Sequence, residues 1–128
     1  MPAVLEHLNV TVADSKATAA WLGDVFGWRV RWEGDSIHGG YSMHVGEDDS
    51  YIALYTPPNS PSANGARDNY FRQNGLNHIG VTVEDLDATE DKVKAAGFEP
   101  GSHADYEPGR RFYFHDTDGV EWEVVSYA

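Results

Sequence analysis

The sequence predicts an α+β fold made of two βαβββ modules whose strands form a concave mixed sheet. Three observations predict it. Glu6-His7-Leu8-Asn9-Val10-Thr11-Val12 returns as Asn77-His78-Ile79-Gly80-Val81-Thr82-Val83, with His78 lying 71 residues after His7. A helix signal follows each copy, and Gly27-Trp28 and Gly97-Phe98 close those helices at a shift of 70. Tyr51-Ile52-Ala53-Leu54-Tyr55 keeps the same shift of 70 against Glu121-Trp122-Glu123-Val124-Val125. A repeat of this kind is one supersecondary unit used twice.

The first copy opens on a strand from Leu5 to Val12, where apolar and polar residues alternate. Asp14-Ser15 supplies an N-cap, and Ala20, Trp21, Val25 and Phe26 form the apolar stripe of a helix that Gly27 stops. Three strands follow, the last over Tyr51 to Tyr55. From Pro57 to Gly75 both periodicities fail, and Pro57, Pro58 and Pro61 stand among Ser, Asn and Gly. This segment reads as a linker (57–75) between module one (1–56) and module two (76–128) of a single domain spanning 1–128. At 19 residues it is long for a small domain, so it covers the site or carries a chain crossover.

The second copy repeats the plan. A strand from Leu76 to Val83 leads to an N-cap at Asp85 to Asp87, and Leu86, Val93 and Ala96 form the helix stripe before Gly97. Asp116-Thr117-Asp118-Gly119 looks superficially like a calcium loop. Since it runs directly into a strand, it reads as a hairpin turn with Gly119 at positive φ.

Composition limits what the protein does. A chain of 128 residues buries roughly two-thirds of its unfolded surface. Without cysteine, disulfides and thiolate metal sites are excluded, so any metal is held by His, Asp or Glu. The 21 acidic and 9 basic residues give a net charge of −12, which opposes contact with nucleic-acid phosphate or an anionic membrane. This acidity serves solubility or a preference for cationic ligands. The start of the chain lacks the basic and apolar segments of a signal peptide, and no apolar run approaches a membrane span. A soluble cytoplasmic protein is expected, with a small molecule and neither nucleic acid nor membrane as its partner.

Alternation sorts each strand onto two faces. Leu8, Val10 and Val12 oppose Leu5, His7, Asn9 and Thr11, and Ile79, Val81 and Val83 oppose Leu76, His78, Gly80 and Thr82. In the last strand Val120, Trp122 and Val124 oppose Glu121, Glu123, Val125 and Tyr127. The apolar faces are expected to pack on the helices. The polar faces are either solvated, as one side of an antiparallel sheet often is, or line a site. Repetition of the histidine favours the site.

His7, His78 and Glu123 are the candidate metal ligands, two imidazoles and a carboxylate. This composition suits Fe(II) first, with Mn, Ni or Zn also accommodated, and leaves positions open for substrate and water. The place matching Glu123 in module one is Ala53, so a closed four-ligand shell is not expected. Tyr113 shares a face with Arg111 and His115, opposite Phe112 and Phe114. It is the candidate catalytic residue, a phenol able to hydrogen-bond a substrate oxygen, or else an aromatic at the edge of a cluster. Arg111 either holds a substrate carboxylate or pairs with a surface acid. Tyr51 and Ala53, on the strand that matches the Glu123 strand, join Arg111 on the expected substrate side. His38, His44, His103 and His115 read as surface or hydrogen-bonded histidines. The register sets His44 against Phe114, away from the polar face, and only His103 and His115 retain an acid–base reading.

Leu5-Glu6-His7-Leu8, Leu76-Asn77-His78-Ile79-Gly80-Val81, Gly97-Phe98 and Phe112 to Glu123 together resemble the vicinal oxygen chelate superfamily, over nearly the whole chain. It groups glyoxalase I, extradiol dioxygenases, fosfomycin-resistance thiol transferases, methylmalonyl-CoA epimerase and bleomycin-resistance proteins. The resemblance implies metal positions in the first and last strand of each module, at His7, Ala53, His78 and Glu123, and a homodimer. Glyoxalase I-like isomerases usually carry a glutamate where Ala53 stands, which argues against their chemistry. Extradiol dioxygenases are similar in the run from Phe112 and Tyr113 through Asp116 and Gly119 to Glu123. The chain departs from them at Thr117, where proline is expected, at the spacing of His103, and at Asp49-Ser50-Tyr51, where a catalytic histidine is missing. Bleomycin-binding members have lost the metal, whereas this chain keeps the ligand set. The expected function is a metal-dependent enzyme for a substrate with adjacent oxygens, dioxygenase-like first. The alternatives are a metal-free antibiotic-sequestering protein and a glyoxalase-like lyase or thiol transferase.

Overall fold

The computed structural model describes residues 1–61, 69–106 and 109–128. The chain divides into two compact units, Met1–Ser62 and Ala63–Ala128. Unit one runs β1 (His7–Thr11), α1 (Ser15–Phe26), β2 (Arg29–Asp35), β3 (Tyr41–Gly46) and β4 (Tyr51–Thr56). Unit two repeats this order with β5 (Ile79–Thr82), α2 (Leu86–Ala95), β6 (Gly101–Tyr106), β7 (Gly109–His115) and β8 (Glu121–Ser126). Each unit is therefore a βαβββ module, as the repeat predicts. Within the expected linker, 62–68 lie outside the described residues, and Asn69–Phe71 form a 3-10 turn.

The strands of unit one lie in the order β1-β4-β3-β2, and those of unit two in the order β5-β8-β7-β6. In both, the outer first strand runs parallel to the last strand, and the other pairs are antiparallel. A parallel pair cannot be joined by a tight turn. The helix and the two strands that follow it make the connection.

The helices start and stop where local chemistry dictates. The Asp14 carboxylate accepts from Lys16 N and Ala17 N, each at 3.1 Å, and the Asp85 carboxylate accepts from Ala88 N at 3.0 Å. These bonds satisfy backbone donors that no helical carbonyl reaches. Gly27 ends α1 at φ 73°, and its N–H donates to Gly23 O. A side chain is strained in that left-handed region, so glycine is favoured there.

Leu22 and Val25 of α1 are buried, as are Val45, Ile52 and Leu54 of the first sheet. In unit two, Leu86 and Val93 of α2 are buried with Phe112, Phe114, Trp122 and Val124. Each such side chain contributes about 1.5–3 kcal/mol on removal from water. Alternation then leaves the opposite sheet face to polar groups. Among the described residues no helix is long and apolar enough to cross a membrane.

Candidate functional site

In unit two, β8 is flanked by β5 and β7, and Glu123 lies opposite Gly80 on one side and Tyr113 on the other. His115 is paired with Glu121 and Arg111 with Val125. Period two carries Glu121, Glu123, Arg111, Tyr113 and His115 to one face while Trp122 and Phe112 are buried behind it. Gly80 leaves that face open beside Glu123, because a Cβ there would meet nothing within 4 Å.

His78, just before β5, reaches this face. Its Nε2 stands 3.1 Å from Glu123 Oε1, and its ring meets that of Tyr113 edge-on, with centroids 5.7 Å apart. The other oxygen of Glu123 accepts from Arg111 Nη1 at 2.9 Å, and both side chains are largely buried, at 12% and 13% exposure. Arg111 is thus paired not with a surface acid but with a candidate ligand, whose carboxylate it fixes in place. Its Nη2 also donates to Gly109 O.

Tyr70, in the 3-10 turn, completes the cluster. Its hydroxyl lies 3.2 Å from His78 Nδ1 and donates to the Glu121 carboxylate. That hydrogen bond, followed by partial burial, pushes the Tyr70 phenol up to about 12, so it keeps its proton at neutral pH. His115 Nε2 lies 3.6 Å from Glu121 Oε2. His103, the other acid–base candidate, pairs with Glu90 at 3.0 Å.

Unit one presents its own row of rings. His7 stacks on Tyr51 with centroids 4.8 Å apart and Tyr51 on His44 at 4.5 Å, and the Trp32 ring lies tilted against His44 at 5.0 Å. Arg31 lies over the Tyr51 ring, and Tyr51 donates to Glu6 at 3.3 Å. Glu6 Oε1 is 2.8 Å from His7 Nδ1. This contact, foremost, holds the Glu6 carboxyl below its ordinary range. Ala53 occupies the place that Glu123 takes in unit two and is itself only 2% exposed.

Two of these placements correct or extend the sequence reading. His44 is paired with Ala53 as Tyr113 is with Glu123, so it matches Tyr113 rather than Phe114, and it shares a face with Tyr51. The cause is turn length: residues 47–50 join β3 to β4, whereas 116–120 join β7 to β8. One residue fewer shifts the strand by one and exchanges its faces. Comparing those turns in the sequence would have shown it. Tyr70 lies in the stretch assigned to the linker, where its aromatic neighbour Phe71 was the one available signal.

His44 carries a pH prediction. Burial, followed by the nearby charges of His7 and Arg31, lowers its pKa against a weaker opposing pull from Glu6. The unfolded chain then binds a proton more readily than the folded one, so this contribution to stability is present above the ordinary histidine value of 6.5 and is lost as pH falls through the folded value. Denaturant unfolding of wild type is expected to show lower stability at pH 5.5 than at 7.5, and His44→Gln a smaller difference. Equal differences in the two proteins would refute it.

The chemistry of the donors fits a divalent ion. Neighbouring ligands at right angles on an ion with bonds of roughly 2.1 Å stand about 3 Å apart, which is the separation of His78 Nε2 and Glu123 Oε1. The pair is nitrogen and oxygen, as expected for Fe(II), Mn(II) or Zn(II). Among the described residues no group of three or more His, Asp or Glu side chains forms a ready shell. Unit two contributes two donors, and His7 belongs to unit one.

The family model described as Glyoxalase/Bleomycin resistance protein/Dioxygenase superfamily matches residues 4–124. No curated protein matches the sequence. Among solved structures, a glyoxylase/bleomycin resistance protein/dioxygenase domain from Frankia sp. EAN1pec superposes with a TM-score of 0.79 at 19% identity, covering 98% of each chain. A mutant of the fosfomycin resistance protein FosX from Listeria monocytogenes, complexed with Mn(II) and 1S,2S-dihydroxypropylphosphonic acid, gives 0.71 at 20% identity over 98% of this chain and 90% of that one. A glyoxalase I mutant from Zea mays gives 0.80 at 14% identity, over 96% of this chain and 46% of that one. At these identities the likeness is one of fold.

Proposed function

The chain belongs to the Glyoxalase/Bleomycin resistance protein/Dioxygenase superfamily, and from that premise we propose that it is a divalent-metal-dependent enzyme acting on a small molecule with adjacent oxygens. The observation that carries this reading is the His78–Glu123 donor pair at 3.1 Å, beside the open position over Gly80. The third donor we propose is His7, on the repeat of the histidine in the sequence. A divalent ion held there would supply a Lewis acid that lowers the pKa of a chelated substrate hydroxyl.

The remaining work falls to the chain's own groups. Arg111 holds Glu123 in one orientation and offsets its charge, which keeps Oε1 turned toward His78. The role we assign to Tyr113 is to hydrogen-bond a substrate oxygen or relay its proton, and its pairing with Glu123 and edge-on contact with His78 support that assignment. Ring cleavage by O2 is the favoured reaction, because the two-imidazole, one-carboxylate set suits Fe(II) with open positions.

The test is anaerobic reconstitution with Fe(II), then oxygen uptake with a panel of catechols. Mn(II), present in the FosX neighbour, is the second metal to load. Uptake with at least one catechol is the expected result. Stoichiometric metal without uptake on any member would remove the dioxygenase chemistry and leave a lyase or transferase.

One observation favours a second reading, a metal-free binding protein. The Arg111 guanidinium already neutralises Glu123, and a protonated His78 would satisfy the same contact without an ion. Metal analysis of the native protein separates the two readings. Stoichiometric metal that is lost in His78→Ala supports the enzyme, and a metal-free protein that sequesters a drug supports the alternative.

A further inference from the structure

Each strand of unit one gives one ring to a single row: in sheet order, His7 of β1, Tyr51 of β4, His44 of β3 and Trp32 of β2. Trp32 owes its place there to a bulge. Val30 pairs with Val45, and unbroken pairing from that point would set Arg31 opposite His44 and Trp32 opposite Met43, on the buried face. The register shifts between Val30 and Trp32 instead, so Trp32 pairs with His44 and its indole comes to the polar face, 49% exposed. One extra residue in a strand re-aims the side chain after it in this way, and bulges gather beside active sites. Hydrophobic burial alone would favour the unbroken register.

Trp32 also lies differently from the other rings. His7 and His44 are within 13° and 24° of the Tyr51 plane, whereas Trp32 is tilted 52° from His44. Its ring lies over Gly34, where a Cβ would fall 2.9 Å from Trp32 Cζ2 and 3.2 Å from Cη2. Glycine inside a strand marks a close approach to the backbone, and here the indole makes it with one face while the other is left to solvent.

We propose that the Trp32 indole is a stacking platform for a planar aromatic group of the substrate, set on the polar face by the bulge at Arg31 and kept flat by the absence of a side chain at Gly34. A ring pair of this kind gains affinity beyond the area it buries, and a saturated ring of the same size does not. The occupant is the substrate because the row runs without a gap from Trp32 to His7, a proposed metal ligand. That identity rests on the proposed function, and the stacking on Trp32 does not.

The experiment titrates the metal-free, full-length protein with 4-phenylcatechol and with 4-cyclohexylcatechol, following the Trp32 indole N–H signal, which Trp32→Phe assigns. In wild type the phenyl probe is expected to move that signal and to bind about 2–10-fold more tightly than the cyclohexyl probe. Trp32→Ala is expected to abolish this preference, and Trp32→Phe, which keeps a ring, to restore part of it. Gly34→Ala lifts the indole without removing it and is expected to reduce the preference as well. Thermal melts check that each variant folds, and sedimentation reads its assembly. Equal or undetectable binding of the two probes to wild type, or a preference that survives in both Trp32→Ala and Gly34→Ala, would overturn the proposal. A wild-type dimer that Trp32→Ala dissociates would assign the indole to a second copy and overturn it too. A Trp32-dependent phenyl preference in a protein that binds no divalent metal would uphold the platform and overturn the metal-dependent reading.

Discussion

Glu123→Ala is expected to lose divalent-metal binding and to destabilise unit two at the same time. The variant removes an oxygen donor and leaves the Arg111 guanidinium without its carboxylate on a face where both side chains are only 12–13% exposed. Breaking such a pair costs about 1–3 kcal/mol here, less than for a fully buried pair because water still reaches both groups. The metal effect is expected to be larger, since a proposed ligand is lost outright, whereas loss of an outer partner alone weakens binding ~10–100-fold. Glu123→Gln separates the two effects. Its amide oxygen still accepts from Arg111, so stability is expected to recover in part while metal affinity stays low. Calorimetric titration with Mn(II) and denaturant unfolding read the two quantities. Wild-type metal affinity in either variant would remove Glu123 from the ligand set.

Trp122→Ala is expected to be the most destabilising single change in unit two. Its ring is 2% exposed and stacks on Phe114, which stacks in turn on Phe98. The cavity costs about 3–5 kcal/mol, a large share of a total stability of roughly 5–15. Its indole N–H also donates to Asp116 Oδ2 at 3.0 Å, while Oδ1 accepts from Asp118 N and Val120 N. Burial raises the Asp116 carboxyl against these donors, so its folded pKa lies above the ordinary 3.8. The contribution linked to that shift is full below 3.8 and lost as pH rises through the folded value. At neutral pH the buried carboxylate depends on its three donors. Trp122→Phe keeps most of the ring and removes one donor, at about 1.5–3 kcal/mol for a bond to a charged group. Its penalty is expected to be greater at pH 7 than at pH 4, measured by urea unfolding. A penalty independent of pH would show that the indole bond does not support the charge.

The residues best read from the sequence are those governed by their neighbours along the chain. Asp14, Gly27 and Asp85 cap helices through bonds spanning at most four residues, and Gly119 takes φ 82° in the turn assigned to it. The burial of Trp122 and Val124 opposite Glu123 follows from alternation. His44 was misplaced because alternation fixes faces within one strand but not between strands. That relation passes through a turn, and one residue changed it.

Periodicity and capping are local and repeat visibly, so the doubled βαβββ plan and the strands that carry His7, His78, Glu123 and Tyr113 are legible in the residues alone. That Arg111 grips Glu123, that His78 comes within 3.1 Å of it, and that Tyr70 bridges His78 and Glu121 emerges from the folded chain alone. Those contacts join residues far apart in sequence through side-chain rotamers and strand pairing, for which no spacing rule exists. Their energies are set by burial and geometry.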